Sequence, residues 1–154
     1  MRTLLSALLF VGMLQGCAAA PPPLTPEEES VLEAEGAAAK VAGNYVKLIE
    51  LAMPRAREGD PEFEFTVGYT MFEWLHDPSP KQPPKHSAKD ALAWIYKAAR
   101  ANVPQAAGFL SSAYRFGDFT LPKNAELEEC WRKVEVGEHS ATICLAAEAK
   151  PKQS

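Results

Sequence analysis

Apolar side chains recur every three or four residues through most of the chain, the spacing of one face of an α-helix. The first such region starts at Pro26, where Thr25 can cap a helix and Glu28 completes a capping box. A long helix is therefore predicted here, although Gly36 and Gly43 weaken it and a division in two is the alternative. Its apolar stripe consists of Val31, Ala34, Ala38, Val41, Tyr45, Leu48 and Ala52.

Prolines divide the rest of the chain into further helical segments. Because proline is excluded from helix interiors, Pro54 is expected to close the first helical region. Residues 76–87 hold four prolines and are predicted to be a loop. No run alternates with a period of two, so the expected fold class is all-α. Further helices are predicted to begin at Asp60, Ser87, Pro104, Asn124 and Ser140.

The helical segments resemble one another at a fixed offset. Ala56-Arg57-x-Gly59-x-Pro61 and Ala99-Arg100-x-Asn102-x-Pro104 share a pattern 43 residues apart, and the same offset pairs Val67 with Leu110 and Met71 with Tyr114. A weaker third copy starts at Gly137, with Ala141 and Leu145 in the places of Ala106 and Leu110. Self-similarity of this length predicts a short α-solenoid of antiparallel helix pairs behind the long N-terminal helix.

The segment from Ala91 to Asn124 resembles the Sel-one-like repeat, a relative of the tetratricopeptide repeat. Asn102 and Ser111 replace two expected glycines, and Asn readily accepts the positive φ of a helix–helix turn. The resemblance implies that Trp94 is buried between helix pairs near Leu110 and Tyr114. The positions that match the repeat are Trp94, Lys97, Ala98, Ala99, Ala106, Leu110, Tyr114 and Gly117. The expected repeat core is Val67, Met71, Trp94, Ala98, Ala106, Leu110, Tyr114, Gly117 and Trp131.

Cys130 and Cys144 are candidates for a disulfide. They lie seven residues before and seven after Gly137, where two antiparallel helices are expected to turn, so they should stand at the same height. Cysteine-rich members of the repeat family join consecutive helices by a disulfide across this turn, with fewer residues between the two cysteines. The alternative is a pair of buried thiols that act as small apolar residues.

The first residues resemble the signal and lipobox of a bacterial lipoprotein. Arg2 precedes an apolar run from Leu4 to Leu14, and Leu14-Gln15-Gly16-Cys17 follows. The resemblance implies a signal peptide over residues 1–16, removed before a lipid-modified Cys17, and Ala18 favours the outer membrane. A secreted protein with unmodified Cys17 is the alternative. Residues 17–25 are then a proline-rich lipidated tether, 26–149 the helical repeat domain and 150–154 a disordered tail.

Charge and residue chemistry exclude several functions. The chain has 154 residues, and those after the signal carry 15 Lys and Arg against 20 Asp and Glu. A mildly acidic chain of this size is a poor candidate for nucleic-acid binding. His76, His86 and His139 lack metal-ligand spacing, and neither G-x-S-x-G nor S-x-x-K occurs. The expectation is a protein that is not an enzyme and needs no cofactor and no metal.

The resulting functional hypothesis is a membrane-anchored scaffold in the bacterial periplasm. A short solenoid would bind a protein or peptide on its concave face. One alternative is an immunity protein that neutralises a periplasm-acting toxin, since some lipoproteins with this repeat do so. An envelope enzyme carries the least weight. Four aromatic residues are expected to pack in the core or under loops, and the alternative is that they form a ligand cage: Phe72, Trp74, Phe116 and Phe119.

Overall fold

A computed structural model describes residues 21–149, and these residues form seven helices with no strand among them. The prediction of an all-α fold is therefore confirmed for this part of the chain. Adjacent helices pack on one another along the chain, as in a helical repeat. The helices are α1 (Pro26–Val41), α2 (Tyr45–Arg57), α3 (Pro61–His76), α4 (Ala88–Arg100), α5 (Pro104–Phe116), α6 (Ala125–Glu135) and α7 (Ala141–Glu148).

Most helix starts lie where the capping residues predict them. Thr25 and Glu28 form the expected capping box of α1, and Ser87 forms a second box with Asp90 on α4. The side chain of Asn124 accepts backbone hydrogen bonds at the start of α6. These caps satisfy amide groups that would otherwise be unpaired in the first helical turn.

Two details of the N-terminal region differ from the simplest prediction. Residues 26–57 divide at Gly43, whose φ of 61° ends one helix, and α1 folds back so that Glu35 and Lys47 form an ion pair of 2.8 Å. The prediction that Pro54 closes a helix was wrong, because α2 continues to Arg57. Pro54 lies in the last turn, where it removes one hydrogen bond, while Arg55 fixes the helix end through a 2.6 Å ion pair with Asp60.

The turns within successive helix pairs share one geometry. Gly59, Asn102 and Gly137 each adopt a left-handed conformation, with φ of 88°, 61° and 75°. In each turn the next amide donates to the carbonyl five residues before it, as in a Schellman motif. The three bonds are Asp60 N to Arg55 O (3.1 Å), Val103 N to Ala98 O (3.2 Å) and Glu138 N to Lys133 O (2.8 Å). The same backbone geometry therefore recurs between α2 and α3, α4 and α5, and α6 and α7.

The core of the described region, residues 21–149, consists of two clusters. One cluster lies mainly among α2 and α3, and the other joins α4 to α7 around Trp131, which is fully buried. Most of the expected repeat-core side chains are buried in these clusters: Val67, Met71, Ala98, Ala106, Leu110, Tyr114 and Trp131. Gly117 ends α5 in a left-handed conformation with φ of 71°.

Trp94 does not lie where the repeat pattern places it. It is only half-buried and packs against the cluster of Val67 and Met71, whereas Leu110 and Tyr114 belong to the other cluster. Ile95, one residue later on α4, has no exposed surface and belongs to the cluster of Leu110. The outer face of the Trp94 ring is covered by Lys97, whose Nζ is 4.0 Å from the ring centroid.

Candidate binding groove

A groove lined by aromatic side chains runs between α3 and α5, the second helices of two successive pairs. Its volume is about 410 Å³, within the range of ligand-binding clefts. We call it the aromatic groove. Its lining residues are Phe65, Tyr69, Phe72, Gln105, Gly108, Phe109, Ser112, Ala113, Phe116, Asp118, Phe119 and Glu135.

Helical spacing places the rings on the two walls. Phe65, Tyr69 and Phe72 are four and then three residues apart on α3, so they share one face. Phe109 and Phe116 are two turns apart on α5 and share a face there. The walls meet edge to face, with the rings of Phe72 and Phe109 5.2 Å apart and nearly perpendicular.

Phe119 forms the end of the groove from the loop after α5. Its ring centroid lies 4.3 Å from that of Phe72 and 4.8 Å from that of Phe109. Phe119 and Thr120 both have positive φ, at 56° and 69°, which is costly for residues with a Cβ. Packing of the Phe119 ring, which is buried, offsets this cost. Strained backbone of this kind is concentrated at functional sites.

Two of the groove rings are open to solvent. Phe116 is 66% exposed and Tyr69 is 38% exposed, whereas Phe65, Phe72 and Phe109 are half-buried. A continuous aromatic surface in water is unfavourable, and such surfaces are typical of sites where a protein binds a partner.

The charged residues in the lining are both acidic. Asp118 and Glu135 are exposed carboxylates, and the lining contains no Lys or Arg within the described residues. Glu135 lies directly against α5, because a Cβ built on Gly108 would be 2.5 Å from its Oε1. An oxygen of Asp118 accepts a 2.9 Å hydrogen bond from the amide of Phe119, which orients that carboxylate at the end of the groove.

The structure brings together three of the four aromatic residues considered as a ligand cage. Phe72, Phe116 and Phe119 all line the aromatic groove. Trp74 lies elsewhere: it is buried, and its Nε1 donates a 2.8 Å hydrogen bond to the carbonyl of Gln82 in the proline-rich loop.

Sequence reasoning missed four residues that line the groove: Phe65, Tyr69, Phe109 and Glu135. The spacing of Phe65, Tyr69 and Phe72 was the available signal, because it marks a second apolar face on α3 beside the Val67 face.

Polar contacts that the sequence did not reveal join α4 to α5 and α6 to α7. The hydroxyls of Tyr96 and Tyr114 are 3.0 Å apart, and Trp131 Nε1 donates a 2.7 Å hydrogen bond to Glu148. Burial raises the pKa of Tyr114 to about 12 and raises the pKa of Tyr96 further. Both phenols are therefore neutral at physiological pH, and either hydroxyl can donate the hydrogen bond between them.

Cys130 and Cys144 are joined in a disulfide in the structure, with their Cα atoms 5.7 Å apart. That separation is within the usual range for this bond. Cys144 is fully buried and Cys130 is half-buried, so the bond lies at the edge of the core between α6 and α7. Cys17 and the predicted signal and tail lie outside the described residues.

The described helices contain no group of three or more His, Cys, Asp or Glu placed to hold a metal ion. None of the helices among residues 21–149 is long and apolar enough to cross a bilayer. Comparison with protein-family models, curated proteins and solved structures gives no match.

Proposed function

We propose that this protein is a lipid-anchored scaffold of the bacterial envelope, built from Sel-one-like repeats, that binds a segment of a partner protein in the aromatic groove. The repeat assignment is supported by the residue pattern from Ala91 to Asn124. It is also supported by the recurrence of one turn geometry at Gly59, Asn102 and Gly137. The spacing between these turns is close to that of helix-pair repeats.

The observation that carries the binding function is the exposed ring of Phe116 in a groove that is also lined by three packed aromatic rings. The ring is 66% exposed in the free protein, and its removal from water by a partner lowers the free energy of the complex. Phe72, Phe109 and Phe119 form the floor of the groove, and the floor is held in shape because each of these rings packs against the other two. A preformed apolar cleft of this kind binds with little cost in conformational entropy.

The proposed location is the outer membrane, facing the periplasm, with lipid on Cys17. The lipobox Leu14-Gln15-Gly16-Cys17 supports this assignment, and a chain with several acyl groups is held durably to a bilayer. The end of the tether contacts the helical domain, since the carbonyl of Pro22 accepts a 2.6 Å hydrogen bond from Arg55. The domain would therefore be held close to the membrane surface.

The binding proposal is tested by affinity capture from detergent-solubilised envelopes. Wild type, Phe116→Ala and Ile143→Ala are compared as tagged full-length chains. Ile143 is 51% exposed on α7 and is a matched control, because its loss also removes an exposed apolar side chain. A partner captured by wild type and Ile143→Ala but depleted at least tenfold with Phe116→Ala is the expected result. A set of captured proteins that is the same for all three chains contradicts a role for the groove.

The anchor is tested separately with Cys17→Ser. Because the acylated sulfur and the cleavage site coincide, the variant should accumulate as a longer precursor that incorporates no labelled palmitate. Wild type should be labelled and shortened. Equal labelling of the two chains would exclude Cys17 as the site of modification.

A further inference from the structure

We infer that the partner segment recognised by the aromatic groove is cationic, with Lys or Arg beside an apolar or aromatic residue. This inference rests on the proposed binding function and adds the chemistry of the ligand. It is carried by the charge and geometry of the lining: Asp118 and Glu135 are its charged side chains, and both are exposed.

The two carboxylates lie where a bound chain would meet them. Asp118 adjoins Phe119 at the end of the groove, and its hydrogen bond to the Phe119 amide fixes its position. Glu135 reaches across from the end of α6 and lies against Gly108, in the middle of α5. A side chain at position 108 would occupy the space of the Glu135 carboxylate, so the glycine allows this charge to approach the floor of the groove.

One neighbouring cation is paired with a carboxylate outside the lining of the groove. Arg115, next to Phe116 in sequence, points to Glu128 and forms a 2.6 Å ion pair with it. The other polar side chains in the lining, Gln105 and Ser112, are uncharged. The groove therefore presents negative charge around apolar rings, and a partner with complementary charge is favoured over an acidic one.

The aromatic rings strengthen the same preference. The face of an aromatic ring carries negative charge density and attracts Lys and Arg placed over it. Tyr69 and Phe116 are the exposed rings, and they are available for such contacts. A peptide that places an apolar side chain over Phe72 and Phe109 would have its cation within reach of a ring face and a carboxylate.

His76 is an exposed imidazole that packs against two rings of the groove. The ring of His76 is 4.4 Å from that of Phe72 and 5.4 Å from that of Phe119, and its Nδ1 is 3.0 Å from the Phe72 carbonyl. His76 is not among the lining residues. The preference for cations is therefore assigned to Asp118 and Glu135.

The inference is tested by panning a random twelve-residue peptide library on the full-length protein in detergent. Phe116→Ala and Ile143→Ala are panned in parallel. Peptides enriched on wild type and Ile143→Ala, but not on Phe116→Ala, should be rich in Lys or Arg beside Phe, Trp, Tyr or Leu. Groove-dependent peptides that are neutral or acidic would overturn the inference and leave the binding proposal standing. A library in which no peptide depends on Phe116 would overturn both.

A charge-matched pair of variants then isolates the carboxylates. Asp118→Asn with Glu135→Gln removes both charges from the groove, while Glu29→Gln with Glu50→Gln removes two exposed charges from α1 and α2. The affinity of an enriched peptide should fall about tenfold in the groove variant, from two exposed ion pairs, and stay within about twofold in the control. The same peptide with Gln in place of its Lys or Arg should bind wild type and the groove variant equally. Equal losses in both double variants would show a nonspecific charge effect and contradict the assignment.

Discussion

Asn102 Oδ1 accepts a 2.9 Å hydrogen bond from the amide of Ala141, across 39 residues of sequence. Ala141 is the first residue of α7, and the side chain of the preceding Ser140 makes no capping bond. Asn102 itself occupies the left-handed position of the turn between α4 and α5. One asparagine therefore forms one helix–helix turn and caps the second helix of the next pair.

Substitutions at Asn102 separate these two roles. Asn102→Gly keeps the positive φ but loses the cap, and we expect a loss of about 1 kcal/mol in the free energy of unfolding. Asn102→Ala loses both features and should cost about 2–3 kcal/mol. Urea unfolding of the two variants measures the difference. A glycine variant as stable as wild type would show that the contact with Ala141 contributes nothing.

The disulfide between Cys130 and Cys144 should stabilise the last helix pair. In the chain-entropy model, closing a loop of about fifteen residues contributes about 3 kcal/mol. The test is to compare the unfolding of three forms: the oxidised protein, the reduced protein and the Cys130→Ala, Cys144→Ala double variant. We expect the reduced form and the double variant to be destabilised by similar amounts. Mass spectrometry of the unreduced protein, exported to the periplasm of an expression host, should find neither thiol free to react. Two alkylatable thiols beyond Cys17 would contradict the bond.

Trp131 and Trp94 should differ in their contribution to stability. Trp131 is fully buried and its Nε1 is hydrogen bonded to Glu148, so Trp131→Ala should cost about 3–5 kcal/mol. Trp94 is half-buried at the edge of the other cluster, so Trp94→Ala should cost about 1–2 kcal/mol. Equal losses would place Trp94 in the centre of the core, as the repeat pattern alone had suggested.

Glu64 should make stability depend on pH. Burial on α3 raises the pKa of this carboxyl from its ordinary value of 4.5, and the nearby charge of Lys97 opposes the shift. A carboxyl with a raised folded-state pKa stabilises the fold below the unfolded value and loses that contribution as pH rises through the folded value. Glu64→Gln should therefore gain in Tm relative to wild type as the pH rises above the ordinary pKa of 4.5.

Glu50→Gln is the control for this titration, because Glu50 is exposed in the middle of α2, away from both helix termini. Its Tm difference from wild type should change little over the same rise in pH. A Glu64→Gln variant that tracks wild type at every pH would show that the carboxyl ionises as easily in the folded protein as in the unfolded chain.

Much of the helical framework could be predicted because its signals are local. Thr25, Ser87 and Asn124 mark helix starts through hydrogen bonds within one turn, and Gly117 and Gly137 mark ends through backbone conformation. Pro54 misled the prediction because a proline in the last turn of a helix costs little when Arg55 fixes that end from outside. The prediction for Trp94 was wrong because adjacent positions on an α-helix point about 100° apart. On α4 this places Ile95, rather than Trp94, at the centre of the core.

The aromatic groove was harder to predict because it forms between distant segments. Phe72, Phe109 and Phe119 come from two helices and a loop, and only the packing of α3 near α5 brings their rings together. Glu135 enters the groove because Gly108 leaves room for it. This contact joins two different helices, so no spacing in the sequence indicates it. Local periodicity could show that α3 has a second aromatic face, but not what lies opposite it.

The most direct measurement of the central claim, that the aromatic groove binds a partner, is site-specific photocrosslinking in intact cells that produce the protein. A benzoyl-phenylalanine replaces Phe116 in one strain and Ile143 in another, since both positions are exposed. Illumination should give a discrete adduct with one partner from position 116, and none from position 143. Absence of an adduct at position 116, or the same adducts from both positions, would contradict the account.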